Sequence, residues 1–170
     1  FTSRDIIYLM CDLLTTGEVL TPEEQRDGIH RTVYDMAMGT SQMLTCMEER
    51  LKMLDSNADI STFGQEINPF TFGIAKADML IHDWKREAPI VEAEYKKGDA
   101  GRFGPGLPSK SDGQMLFLLN GVKKLKDTGR MAIIQNGSSL FTGDAGSGPS
   151  KIRQYLIAVS YTHLRAHETS

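Results

Sequence analysis

Two carboxylates stand where chemistry could be done. Asp35 closes the short β-favouring run Arg31-Thr-Val-Tyr-Asp35, and Gly39 follows four residues later in Asp35-Met-Ala-Met-Gly39-Thr40-Ser41. Glu66 closes a second such run, Ile60 to Gln65, thirty-one residues after Asp35. A carboxylate at a strand tip can accept hydrogen bonds from an ammonium or from ribose hydroxyls. A glycine at the mouth of the following helix lets a ligand approach the backbone, and the helix N-terminus attracts its carboxylate or phosphate. Together these describe a crevice for an adenosine-containing ligand. Spacing alone suits a dinucleotide site or ordinary turn chemistry equally well, and the G-x-G-x-x-G fingerprint is absent.

The elements that must position these residues follow from periodicity. Ser3 can cap a helix from Arg4 to about Leu14, in which Ile6, Leu9, Met10, Leu13 and Leu14 recur at the three-four spacing of one buried face. The polar stretch around Thr21-Pro22-Glu23-Glu24 then leads into the first strand, Arg31 to Asp35. After the turn at Gly39 comes a second helix with a stripe of Leu44, Met47, Leu51 and Leu54. The second strand, Ile60 to Gln65, is followed by Asn68 as N-cap and Pro69 in the first turn of a third helix reaching His82. This βαβα alternation predicts a parallel sheet with right-handed crossovers and a ligand crevice at the carboxyl ends of its strands.

Glycine and proline from Gly98 to Gly113 predict a long loop of the kind retained for binding or gating. A helix from Asp112 to Lys126, a turn at Asp127-Thr-Gly129, a strand Met131 to Gln135, a glycine loop Gly143 to Gly148 and a helix around Ile152 to Ile157 complete the pattern.

Length, charge and cysteine content exclude several functions. The 170 residues suit one domain, and with 40% hydrophobic and 24% charged residues no apolar run approaches the roughly eighteen needed to cross a bilayer. A formal charge of −3 gives no global positive field for nucleic acid, so any DNA is expected to be held by something else. Cys11 and Cys46 lie in apolar helical patterns, which suits reduced core thiols of a cytoplasmic protein. The chain begins at Phe1 without a methionine, as if cut from a longer protein. Val159-Ser-Tyr-Thr-His-Leu-Arg-Ala-His-Glu-Thr169 continues no apolar period and resembles the translation of a sequencing-library adaptor. Residues 1–158 are therefore read as one partial domain and 159–170 as a non-native tail. That sets aside His163 and His167 as a metal pair, and His30 and His82 alone give no support to a metal site.

Several motifs carry a resemblance. Phe1-Thr2-Ser3-Arg4-Asp5, Thr32-Val-Tyr-Asp-Met-Ala-Met-Gly-Thr-Ser-Gln-Met-Leu44 and Phe63-Gly-Gln-Glu-Ile-Asn-Pro69 resemble, in order, three motifs of the modification subunits of type I restriction-modification systems. Asp99-Ala-Gly-Arg-Phe-Gly-Pro105, Gln114-Met-Leu-Phe117, Gly129-Arg-Met-Ala-Ile-Ile134 and Ile152-Arg-Gln-Tyr-Leu156 extend the likeness over nearly all of the chain. The resemblance implies a DNA adenine N6-methyltransferase using S-adenosyl-L-methionine on an incomplete Rossmann-like α/β sheet with flanking helices. It implies that Phe1, Thr2 and Arg4 pack on the methyl donor, with Ser3 in place of a stiffening proline. Asp35 would face the methionine amino group or the ribose, Gly39, Thr40, Ser41 and Gln42 would line the methionine moiety, and Glu66 would hold the ribose hydroxyls. The family's commoner turn has more glycines than this one, where Ser41 and Gln42 stand. A specificity subunit that reads DNA, a restriction subunit and a second copy of the modification subunit are the implied partners, with no membrane.

The family's catalytic Asn/Asp-Pro-Pro-Phe/Tyr motif holds the exocyclic amine of a flipped adenine against the donor methyl. No such motif occurs here, and Asn68-Pro69-Phe70, directly after Glu66, reads as a helix cap. Trp84-Lys-Arg-Glu-Ala88 resembles the segment after that motif, which places an internal deletion of two strands between Asp83 and Trp84. Such a deletion would expose central edges of the sheet or force the first strand onto Met131 to Gln135. The alternative function is a catalytically dead Rossmann-like fragment that binds an adenosine ligand.

Overall fold

The computed structural model describes residues 2–78, 84–86, 97, 100–108 and 113–167. The chain forms two compact units, Phe1–Pro89 and Ile90–Ser170.

In the first unit, helix α1 (Arg4–Thr15) starts at Ser3, whose backbone carbonyl accepts from Ile6 and Ile7 N–H at 3.1 Å while its hydroxyl makes no cap bond. The expected buried stripe is corrected. Ile7 and Cys11 are buried, whereas Ile6, Leu9 and Leu13 remain 42%, 57% and 61% exposed. Two apolar rows lie side by side on this helix, and the row Ile7, Cys11, Leu14 is the one in the core. Across the interface Arg50 Nε lies 3.0 Å from Asp12 Oδ1, and its guanidinium stacks 5.4 Å from the Tyr8 ring centroid. A short helix, α2 (Pro22–Asp27), occupies what reads as a polar stretch. Thr21 and Glu24 form a reciprocal capping box, with Glu24 Oε2 accepting from Thr21 N–H at 2.9 Å and Pro22 in the first turn.

Strands β1 (His30–Asp35) and β2 (Asp59–Gly64) pair in parallel through the crossover helix α3 (Gln42–Leu54). Leu44, Met47 and Leu51 are buried as the stripe predicts, and Leu54 is 42% exposed. β2 pairs on its other side with β3 (Trp84–Arg86), again in parallel, giving the order β1-β2-β3. Helix α4 (Pro69–Asp78) begins as expected, with Asn68 Oδ1 accepting from Phe70 N–H at 2.9 Å; the expected continuation over 79–83 lies outside the described residues. Two apolar clusters hold this unit. Ile7, Cys11, Ile29, Cys46, Met47 and Leu51 pack between the helices and sheet, and Met38, Leu44 and Ala75 pack beneath the strand tips.

In the second unit the described part of the long loop is anchored by Phe103, which is fully buried among Met115, Leu116, Leu119 and Ile152. Arg102 beside it donates to the buried Asn120 of helix α5 (Gln114–Lys124). The expected helical limits contract: Asp112 lies outside the described residues, and Leu125 N–H turns to Val122 O at 3.2 Å. The expected strand Met131 to Gln135 is not formed, and no described residue of this unit is in a strand. A strand needs a ladder partner. Here the polar groups go instead to the start of α5, with Gln135 Nε2 donating to Gln114 O at 2.6 Å and Asn136 N–H to Gln114 Oε1 at 3.0 Å. A 3₁₀ turn, Gly137–Leu140, then leads to α6 (Gly148–His167). That helix runs beyond Ile157 and through most of the segment read as a tail.

Candidate functional site

Because β1 and β2 run in parallel, their carboxyl ends lie side by side, with Asp35 opposite Gly64. The pairing continues past the strands. Gln65 N–H donates to Asp35 O and Met38 N–H donates back to Gln65 O, each at 2.9 Å. The loop from Met36 to Ser41 is thereby folded over the tip of β2. Gly64 permits this, since a Cβ there would stand 2.2 Å from the Met38 sulfur. A glycine inside a strand pattern is a signal of close backbone approach, and sequence reasoning passed over it.

Glu66 braces the same loop. Its Oε2 accepts from Gly39 N–H at 3.1 Å, and its Oε1 accepts from Asn68 N–H at 2.7 Å. Asp35 Oδ1 accepts from Ala37 N–H at 3.0 Å. The Asp35 carboxyl is held above its ordinary value, first by desolvation and then by the nearby Glu66 charge, with the Ala37 hydrogen bond opposing. Beneath the tips, Tyr34 OH donates to the buried Gln65 Oε1 at 2.6 Å. Neither Gln65 nor Asn68 was foreseen as part of the site.

The loop contains two residues in left-handed backbone. Gly39 has φ +55°, and a Cβ built there meets nothing within 4 Å, so the space beside it is open. Ser41 has φ 68° and is fully buried, its hydroxyl donating to Thr40 O at 2.5 Å. A serine held there costs roughly 1–2 kcal/mol, against about 0.5–1 kcal/mol of chain entropy for a glycine. Ser41→Gly is therefore expected to stabilise the protein by about 0.5–1 kcal/mol, read as a higher urea midpoint at unchanged slope; a lower midpoint would show that the hydroxyl contributes more than the strain.

The structure thus brings Asp35 and Glu66 onto the loop that carries Gly39 by hydrogen bonds to its backbone, with half-buried Thr40 and buried Ser41 in the same turn and exposed Gln42 opening α3. Phe1 lies outside the described residues. Thr2 and Arg4 are exposed at the start of α1, and among the described residues no hydrogen bond joins them to Asp35 or Glu66. Ile67, which sequence reasoning did not single out, follows Glu66 and is 86% exposed. Among the described residues there is no cluster of three metal-ligating side chains, and no helix is long and apolar enough to cross a membrane.

Comparison with known proteins gives two findings. The model of the N-6 DNA Methylase family matches residues 1–99 and 84–164. The chain also superposes on the crystal structure of the type I restriction-modification system methyltransferase subunit from Streptococcus thermophilus with a TM-score of 0.74 at 23% identity. That match covers 93% of this chain and 38% of the longer one, and at this identity it establishes a shared α/β methyltransferase fold.

Proposed function

The chain belongs to the N-6 DNA methylase family, and on that premise we propose that it is the donor-binding part of the DNA adenine N6-methyltransferase subunit of a type I restriction-modification system. One observation carries the reading: Asp35 and Glu66, on neighbouring parallel strand tips, are braced on a single loop beside open space at Gly39. S-adenosyl-L-methionine fits these groups. An ionised carboxylate poor in solvent gains most from a cation, so Asp35 would take the donor's ammonium or a ribose hydroxyl. Each Glu66 oxygen already accepts one backbone N–H and retains a lone pair for the ribose diol. The exposed Ile67 offers apolar surface for the adenine ring.

Gly39 and Ser41 N–H are engaged within the loop, the latter with Met38 O at 2.8 Å. Gly39 then contributes space, and the start of α3 at Gln42 would meet the methionine carboxylate. Phe1, Thr2 and Arg4 would close over the donor. When bound, the donor supplies an electrophilic methyl group.

Methyl transfer belongs to the whole subunit, because this chain lacks the Asn/Asp-Pro-Pro-Phe/Tyr motif. The missing strands would lie between Asp83 and Trp84; the division of the family match into spans that overlap at 84–99 supports that position. In the assembly a specificity subunit would select the DNA target and a restriction subunit and a second modification subunit would join it. The two free, buried thiols suit the reducing cytoplasm.

Titration calorimetry with S-adenosyl-L-methionine tests the reading. The raised Asp35 carboxyl stabilises the fold fully below the ordinary carboxylate value, and that contribution is lost as pH rises through the raised one. Asp35→Asn should therefore gain stability relative to the unsubstituted protein as pH climbs from about 4 towards neutrality. Donor affinity should rise over the same window as the carboxylate ionises. In Asp35→Asn that rise should vanish, with about 1.5–3 kcal/mol of binding lost. No heat of donor binding at any pH would remove the proposed site.

A further inference from the structure

An asparagine followed by a glycine carries its own reagent. The backbone nitrogen of the glycine can close on the side-chain carboxamide carbon, and the missing Cβ leaves that nitrogen uncrowded. The chain holds four asparagines, Asn57, Asn68, Asn120 and Asn136, of which Asn120 and Asn136 precede a glycine. The fold treats the four differently. Asn57 precedes Ala58, whose N–H is held by Asp55 O at 3.1 Å. Asn68 precedes Pro69, which has no N–H, and its Oδ1 accepts from Phe70 N–H at 2.9 Å. Asn120 is buried within α5 with its Oδ1 taken by Arg102, and Gly121 N–H belongs to the hydrogen-bond ladder of that helix. Asn136 and Gly137 are both exposed, and among the described residues Gly137 N–H has no acceptor.

The surroundings of Asn136 favour closure. Its Oδ1 accepts from Ser138 N–H at 3.1 Å, which turns the carboxamide back over the Asn136-Gly137 peptide bond and polarises its carbonyl. A Cβ built at Gly137 meets nothing within 4 Å, so the space around the attacking residue is open. We propose that Asn136 is a site of spontaneous covalent modification, converted through a succinimide with Gly137 to aspartate or isoaspartate. The Gly137 amide loses its proton, its nitrogen bonds to Asn136 Cγ, and the side-chain nitrogen leaves with a proton as ammonia. Ser138 N–H faces the oxyanion formed on the way. Water then opens the ring, with no change of oxidation state. Attack at Cγ gives aspartate. Attack at the main-chain carbonyl, whose oxygen accepts from Ser139 N–H at 3.1 Å and Ser139 Oγ at 2.9 Å, gives isoaspartate. Isoaspartate lengthens the main chain by one methylene inside a turn tied to both helices: Asn136 N–H donates to Gln114 Oε1 at 3.0 Å, and Arg153 Nη1 donates to Ser139 O at 3.2 Å and Thr142 O at 2.8 Å.

The test is peptide mass mapping of the full chain during incubation in mildly alkaline buffer at physiological temperature, with and without guanidinium. In the folded chain the peptide carrying Asn136 should gain the mass difference between oxygen and NH and separate into two products of equal mass. The conversion should quicken with pH as the amide ionises. The peptides carrying Asn57, Asn68 and Asn120 should keep their mass. In guanidinium, Asn120 should convert at a rate like that of Asn136, because only the helix protects it. Gly137→Ala should slow the conversion by about tenfold through crowding of the nitrogen, with far-UV circular dichroism unchanged. The isoaspartate-bearing fraction should unfold at lower urea concentration, whereas Asn136→Asp should keep the midpoint of the unsubstituted chain, because aspartate caps a turn as well as asparagine does. Conversion of Asn136 in guanidinium but not in the folded chain would overturn the site, as would equal conversion of Asn120 in the folded chain. An unchanged rate in Gly137→Ala would overturn closure through the Gly137 nitrogen.

Discussion

Phe103→Ala is expected to lower the unfolding free energy by about 3–5 kcal/mol. The residue comes from a glycine-rich loop, yet its ring is fully buried among Met115, Leu116, Leu119 and Ile152. Truncation removes the largest side chain of that cluster and leaves a void between the loop and two helices, which backbone fixed by the neighbouring Arg102–Asn120 contact can only partly close. Domains of ordinary stability have about 5–15 kcal/mol in total, so a large share of it rides on one ring. Urea unfolding followed by far-UV circular dichroism measures the loss directly. A change under about 1 kcal/mol would mean that the loop is not anchored as described.

The second large effect is expected at Glu66. Glu66→Ala should weaken binding of S-adenosyl-L-methionine by about 1–3 kcal/mol, roughly tenfold to a hundredfold, through loss of the charged acceptor for the ribose. It also leaves Gly39 and Asn68 N–H without their carboxylate. Glu66→Gln should rescue little, because both carboxylate oxygens face backbone donors and an amide NH2 must oppose one of them. Calorimetry on the two variants together decides the matter. If glutamine restored full affinity, shape rather than charge would be what the ligand reads, and undiminished affinity in the alanine variant would take Glu66 out of the site.

The strand tips were legible because their signals are local. A β-favouring run ends in a carboxylate, and the next helix begins within a few residues, so Asp35 and Glu66 could be put at neighbouring strand ends before any coordinates. Asn68 as a cap was legible for the same reason. The bracing of the loop was not, since Gly39 N–H to Glu66 and Met38 N–H to Gln65 O link residues 27 apart in sequence. On α1 the sequence holds two adjacent apolar rows, and only packing against α3 selects Ile7 and Cys11 over Ile6, Leu9 and Leu13. The capping box at Thr21 and Glu24 was in plain view, but a six-residue helix with no apolar face leaves no periodicity. Met131 to Gln135 failed for the opposite reason: an apolar run states a preference for pairing without naming a partner, and its polar neighbours found Gln114 instead.

The two cysteines lend the molecule a property of their own. Cys11 is fully buried and its thiol is pushed up to about 11 by desolvation and by the neighbouring Cys46, which is itself raised. Neither sulfur is nucleophilic while the core is closed, and both become ordinary thiols when it opens. An alkylating reagent is consequently a built-in stopwatch for breathing of the first core, and no cysteine after Pro89 adds a second signal to it.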